Sequence, residues 1–104
     1  MIRVSAMYPN TPNSKFDLDY YAQKHMALVA SRLKPMGLQR FEVDKGIGTA
    51  SPGDPAPFVA IGHLYFNSLD EFQKAFGTHA QEIMADIPNF TDIEPQFQIS
   101  EVVG

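Results

Sequence analysis

At 104 residues the chain has room for one domain with a real core and too little for two. Its 44% hydrophobic and 19% charged content excludes a disordered or low-complexity chain. Twelve acidic against eight basic residues leave a formal charge of −4, the wrong balance for a nucleic-acid or anionic-membrane surface. The first element, residues 1–9, reads as a strand. Ile2, Val4, Ala6 and Tyr8 form one apolar face, alternating with Met1, Arg3, Ser5 and Met7.

A turn-rich loop, Pro9 to Ser14, precedes a helix expected to begin at Asp17, whose carboxylate can accept first-turn amides. Phe16 and Tyr21 are placed for a hydrophobic staple. Spacing at 100° per residue puts Leu18, Ala22, Val29 and Leu33 on one stripe, flanked by Tyr21, Met26 and Leu28. Pro35 and Gly37 stop this helix. Residues 38–45 read as a second strand carrying Phe41 and Val43. Residues 46–57, rich in Gly and Pro, read as an extended hairpin connection. Residues 58–66 form the most apolar strand, with Phe58, Ala60, Leu64 and Phe66 on one face and Val59, Ile61, His63 and Tyr65 on the other. Ser68 and Glu71 spell a capping box, opening a second helix with the stripe Leu69, Phe72, Phe76, Ala80 and Ile83. A compact turn, residues 86–92, leads to a last strand in which Phe97, Ile99 and Val103 alternate, with Glu101 as a charged intruder.

The order strand, helix, strand, strand, helix, strand gives an α+β, ferredoxin-like βαββαβ fold as one domain over residues 1–104. Right-handed crossovers place the first and third strands in the middle of a four-stranded antiparallel sheet, with both helices on one face. The other face then needs cover, which a second copy packing sheet against sheet would supply; a monomer with a bare face is the alternative.

Cysteine is absent, which excludes disulfides, thiolate catalysis and thiolate metal sites. No signal-peptide pattern opens the chain and no apolar run nears the ~18 residues that span a bilayer, so a soluble cytoplasmic protein is expected. His25 is the most informative residue, because it falls within the apolar stripe of the first helix. There it is either a general acid/base in an apolar pocket or a core histidine satisfied by a carbonyl or hydroxyl. His63 lines a dimer cavity or sits at an interface, and His79 reads as a half-exposed surface residue. The three histidines lie in three elements without metal-ligand spacing, so no metal is expected. Asp86, Asn89 and Asp92 shape the turn after the second helix, beside a possible pocket mouth. No Gly-rich phosphate loop, nucleophile elbow or paired-carboxylate motif is present.

The segments Phe16-Asp17-Leu-Asp-Tyr20-Tyr21-Ala-Gln-Lys-His25-Met-Ala-Leu28-Val29, His63-Leu-Tyr-Phe66-Asn-Ser68 and Asp86-Ile-Pro-Asn-Phe-Thr-Asp92 resemble the EthD family, named for ethyl tert-butyl ether degradation. The likeness runs over nearly the whole chain and is weakest in residues 46–57. It implies a dimeric α+β barrel, an association with catabolism of small organic compounds, and an oxidoreductase label. Related barrels include cofactor-independent monooxygenases, muconolactone isomerases and haem-degrading enzymes, whose ligands sit between helices and sheet. His25 matches the helix histidine that isomerase-like relatives use. The absence of Trp departs from the haem-degrading relatives.

The reading that follows is a homodimeric enzyme for a small hydrophobic molecule, cytoplasmic and without a cofactor, nucleic-acid or membrane partner. His25 would shuttle a proton. Tyr21 and Asp92 would orient the substrate, while Phe66, Phe72, Phe76 and Phe90 exclude water. The alternatives are a ligand-delivery or accessory protein for an oxygenase system, a lactone isomerase-like enzyme, or a structural dimerisation domain whose core is closed.

Overall fold

The computed structural model describes residues 1–104. Four strands, β1 (Ile2–Pro9), β2 (Arg40–Lys45), β3 (Phe58–Phe66) and β4 (Gln96–Glu101), form one antiparallel sheet in the order β2-β3-β1-β4. The first and third strands are therefore central, as the crossover rule requires. Val4 stands opposite Leu64 and Ile99, and Ala6 opposite Gly62 and Phe97, so these residues share one face. That face carries the helices, and Val4, Tyr8 and Phe66 belong to the core between the layers.

The first helix runs in three stretches: α1 (Leu18–Tyr20), a π turn (Tyr21–His25) and α2 (Met26–Leu33). Asp17 caps it, its carboxylate accepting from the Tyr20 amide at 3.0 Å. Phe16 and Tyr21 meet edge to face at 5.2 Å, the expected staple. In the π turn the Met26 amide bonds to the Tyr21 carbonyl, five residues back, so one extra residue is wound into the turn. Of the Leu18, Ala22, Val29, Leu33 line that a uniform 100° spacing predicts, Val29 and Leu33 are buried, Leu18 and Ala22 are only half-buried, and Tyr21, His25, Met26 and Ala30 complete the buried stripe. Gly37, at φ 113°, ends this segment after a 3-10 turn, Lys34–Met36.

The second long helix, α3 (Leu69–Asp86), starts at Ser68, whose hydroxyl accepts from the Glu71 amide at 3.2 Å. The reciprocal half of the expected box differs: the Glu71 carboxylate accepts a hydrogen bond from the Ser68 hydroxyl instead of from the Ser68 amide. Phe72, Ala75 and Ile83 are the buried residues of α3, whereas Leu69, in its first turn, is 41% exposed. Arg32 and Glu82 tie α2 to α3 with a 2.6 Å ion pair that solvent screens, so it adds little to stability. Complete burial of Leu33 and Phe66 contributes more, about 2–3 kcal/mol each.

Several sequence expectations change in detail. The second strand begins at Arg40, two residues after the expected start, and residues 46–57 connect β2 to β3 as a hairpin loop. The register slips between Tyr8 and Pro9, so at the start of β3 it is Val59, and not Phe58, that packs against the core. Val103 lies beyond β4 and is 91% exposed. No helix is long and apolar enough to cross a membrane.

Candidate active site

The segment after α3 is stitched to the start of the first helix, which brings distant sequence regions together. Thr91 pairs with Phe16 in an isolated bridge, and its hydroxyl donates to the Lys15 carbonyl at 2.6 Å. The Asp17 amide donates to the Phe90 carbonyl at 2.8 Å. This clasp sets Asp86, the last residue of α3, beside His25. Nδ1 of His25 lies 2.9 Å from Asp86 Oδ2, with the His25 side chain 5% exposed.

Asp86 is itself held by two further donors. The Tyr20 hydroxyl donates to Oδ1 at 2.8 Å, and Asn89 Nδ2 donates to the same oxygen at 2.9 Å. Burial alone would push the Asp86 carboxyl up, but the bonds from His25, Asn89 and Tyr20 together bring it below its ordinary value. The carboxylate is therefore ionised at neutral pH and can only accept. It follows that Nδ1 of His25 carries a proton. Burial pulls the His25 pKa below 6.5 despite the opposing pull of Asp86, so the ring is neutral and Nε2 holds a lone pair.

That lone pair faces a cavity. His25 is one of 16 residues lining a space of about 360 Å³ between the helices and the sheet, and of the other 15 all but Gly62 are hydrophobic. Nε2 takes part in no bond within the chain, yet no buried side-chain polar atom lacks a partner, which places Nε2 at the cavity wall. The imidazole stacks on Tyr21 at 5.6 Å and 18° and is backed by Phe90 at 4.8 Å. The π turn puts Tyr21 and His25 on the same face. At the far end of its ring, the Tyr21 hydroxyl occupies the space a side chain at Gly62 would fill. Burial raises both Tyr8 and Tyr21 above the ordinary tyrosine value, so both hydroxyls stay protonated, and the two rings meet edge to face at 5.3 Å. The mouth is formed by Met84, Phe97 and Ile99, each large, apolar and partly exposed.

The residues expected to form the site divide into three groups. His25, Tyr21, Phe72 and Phe76 line the cavity. Phe90 lies behind the imidazole and not against the cavity. Phe66 and Asp92 are elsewhere. Phe66 is sealed in the core against Phe72, because it sits at the end of β3 beyond the cavity floor. Asp92 is exposed, accepts from the Lys15 amide at 3.1 Å within the clasp, and is not among the residues lining this cavity. His63 lies on the opposite face of the sheet, between Ser5 at 2.9 Å and Asp44 at 2.8 Å. That face is more polar than the apolar residues of β3 imply. Tyr65 donates to Glu42 at 2.7 Å and lies under the Arg40 guanidinium at 4.1 Å.

The sequence places Asp86 and Asn89 in a turn beside a pocket mouth without pairing either with His25, and leaves Tyr8 and Gly62 as strand residues. One local signal marks Asp86. A carboxylate at the C-terminal end of a helix opposes the helix dipole, so a residue there needs donors from outside the helix.

Fold and site define a class: a small ferredoxin-like α+β protein that presents a carboxylate-anchored histidine to an apolar cavity between helices and sheet. The sequence matches the EthD domain over residues 12–94, and the chain belongs to the EthD family. An EthD-like protein from Ralstonia eutropha JMP134 is 41% identical, with a TM-score of 0.93 over 99% of this chain and 92% of that one. An ethyl tert-butyl ether degradation (EthD) family protein from Bacillus halodurans C-125 shares the fold at 18% identity, with a TM-score of 0.69 over 99% of each chain. A dimeric ferredoxin-like protein from an uncultured marine organism does so at 15% identity, with a TM-score of 0.61 over 99% of this chain and 94% of that one. No protein of curated function matches the sequence.

Proposed function

We propose that this protein is a homodimeric catabolic enzyme of oxidoreductase or isomerase type that binds a hydrophobic small molecule and moves a proton on it with His25. The observation that carries the reading is the polarity of the imidazole. Asp86 fixes the proton on Nδ1, so a basic Nε2 is presented to an apolar cavity. A core histidine satisfied at both nitrogens would not need this arrangement. Tyr20 and Asn89 position Asp86, and Asp86 positions the ring, so only His25 in this chain would exchange a proton with the ligand. Tyr21, Phe72 and Phe76 would bind the ligand and keep water from it. Proton transfer between an imidazole and an acidic C–H or O–H requires no cofactor.

Dimerisation is supported by the sheet face that the helices leave bare, and by the similarity to a dimeric ferredoxin-like protein.

The test is turnover of small hydrophobic oxygenated compounds by the wild-type protein and by His25→Gln, which keeps a polar side chain but cannot shuttle a proton. Loss of turnover by 10²-fold or more with retained binding is expected. Undiminished turnover would exclude His25 as the base. Binding without turnover in either protein would favour the second reading, ligand delivery to an oxygenase system, which the same cavity supports without chemistry.

A further inference from the structure

The charge pattern around the cavity says which protonation state of a ligand belongs there. No Lys or Arg lines it. The ionised group nearest the imidazole is the Asp86 carboxylate, directly behind it, and from β2 the Asp44 carboxylate adds a second negative charge felt at Tyr21. The groups that face His25 are Asp86 at the end of α3, Tyr20 and Tyr21 from its own helix and, across the Tyr21 ring, Tyr8 from β1. From β3 and β4 the cavity receives only Gly62, Leu64, Phe97 and Ile99. An anion entering this space would lose its hydration, meet no countercharge and approach a fixed negative charge. A neutral molecule with a proton to donate meets the Nε2 lone pair, and an oxygen elsewhere on it meets the Tyr8 and Tyr21 hydroxyls.

We propose that the cavity selects weak acids in their uncharged form: mainly apolar molecules, one or two rings in size, that give a hydrogen bond from an O–H or acidic C–H to His25 Nε2. Carboxylates, phosphates and phenolates are excluded. The size follows from the volume, since a dry cavity of about 150 Å³ holds benzene and this one is about 360 Å³. The inference rests on the cavity being a small-molecule site and adds the ligand's charge state and donor group.

The probes are 4-nitrophenol, which ionises near neutral pH with a change of colour, and its methyl ether 4-nitroanisole, which has the same ring and no O–H. Titration of the wild-type protein across pH 5.5 to 8.5 is expected to bleach the phenolate band on binding. Affinity for the phenol should fall about tenfold per pH unit above the phenol's own ionisation, as its competent fraction falls. The methyl ether should bind about tenfold more weakly than the neutral phenol and without this pH dependence. In His25→Phe the two probes should become equal.

Equal binding of phenol and ether by the wild-type protein would overturn the inference while leaving the cavity as a hydrophobic site. So would affinity that rises with pH or a phenolate band that grows. If neither probe binds, the small-molecule reading beneath it fails as well. The comparison of the two probes needs only the wild-type protein, so it stands even if the His25 variant does not fold.

Discussion

His25 is a polar side chain buried in an apolar face, and its cost is met by a charge-assisted bond on one nitrogen and cavity access on the other. Because its folded pKa lies below 6.5, the unfolded chain takes up a proton there that the folded chain refuses. Stability contributed by His25 is therefore complete above pH 6.5 and is lost as pH falls from 6.5 through the folded value. Asp86, also depressed, adds a second loss only below its ordinary 3.8. Urea unfolding should give a constant free energy from pH 8 to 7 and a declining one below 6.5. His25→Gln should flatten the decline between 6.5 and 5, and an unchanged decline would assign it to another group. Asp86→Asn replaces an acceptor facing three donors, and should lower stability by about 1–3 kcal/mol in the same assay. The variant should also lower the His25 pKa further, because the ring loses its anionic partner; a histidine NMR titration reads this directly.

At the level of the elements, β3 and the first helix meet where Tyr21 crosses Gly62. The π turn and the glycine are two halves of one fit: the extra residue turns the Tyr21 ring inward, and the missing side chain lets its hydroxyl in. Gly62→Ala puts a methyl group where that hydroxyl lies, with backbone on one side and a stiff ring on the other. The expected cost is about 1–3 kcal/mol, seen as a lower urea midpoint. Tyr21→Phe should relieve much of it, since the colliding atom is the hydroxyl oxygen. If the double variant gained nothing over Gly62→Ala, the collision would not be the cause. The helix entry is a simpler matter. Ser68→Ala removes one cap bond and should cost about 1 kcal/mol without touching the cavity.

Across the whole molecule, the two faces of the sheet have different work. One face, under the helices, holds the core and the cavity. The other carries a hydrogen-bonded polar layer, Arg3–Tyr65–Glu42 and Ser5–His63–Asp44, around Met7 and Ile61. If a second copy covers that face, sedimentation equilibrium should give twice the 11.6 kDa chain mass. A charge at its centre, Ile61→Lys, should return the protein to the single mass, because an unpaired buried charge costs several kcal/mol at each copy. A wild-type protein that sediments at 11.6 kDa would remove the dimer.

Much of this architecture is local in origin and therefore readable in the sequence. Period-two alternation in β1 and β3, the Asp17 and Ser68 caps, the Phe16–Tyr21 staple and the Pro35–Gly37 stop each depend on neighbours within a few positions. Together with the handedness of the crossovers they fix the strand order and place His25 inward. The π turn is not local in this sense: regular spacing predicts Leu18 and Ala22 in the buried stripe, and the fit of Tyr21 onto Gly62, 41 positions away, replaces them. Asp86 shows the same limit. Its sequence context is that of a turn residue, and only the clasp between residues 15–17 and 90–92 carries its carboxylate to Nδ1 of His25. Which nitrogen holds the proton, which aromatic residues meet the cavity and which are sealed behind it depend on packing between elements. Sequence periodicity orders residues along one element, whereas the site is made where five of them, β1, the first helix, β3, α3 and β4, converge.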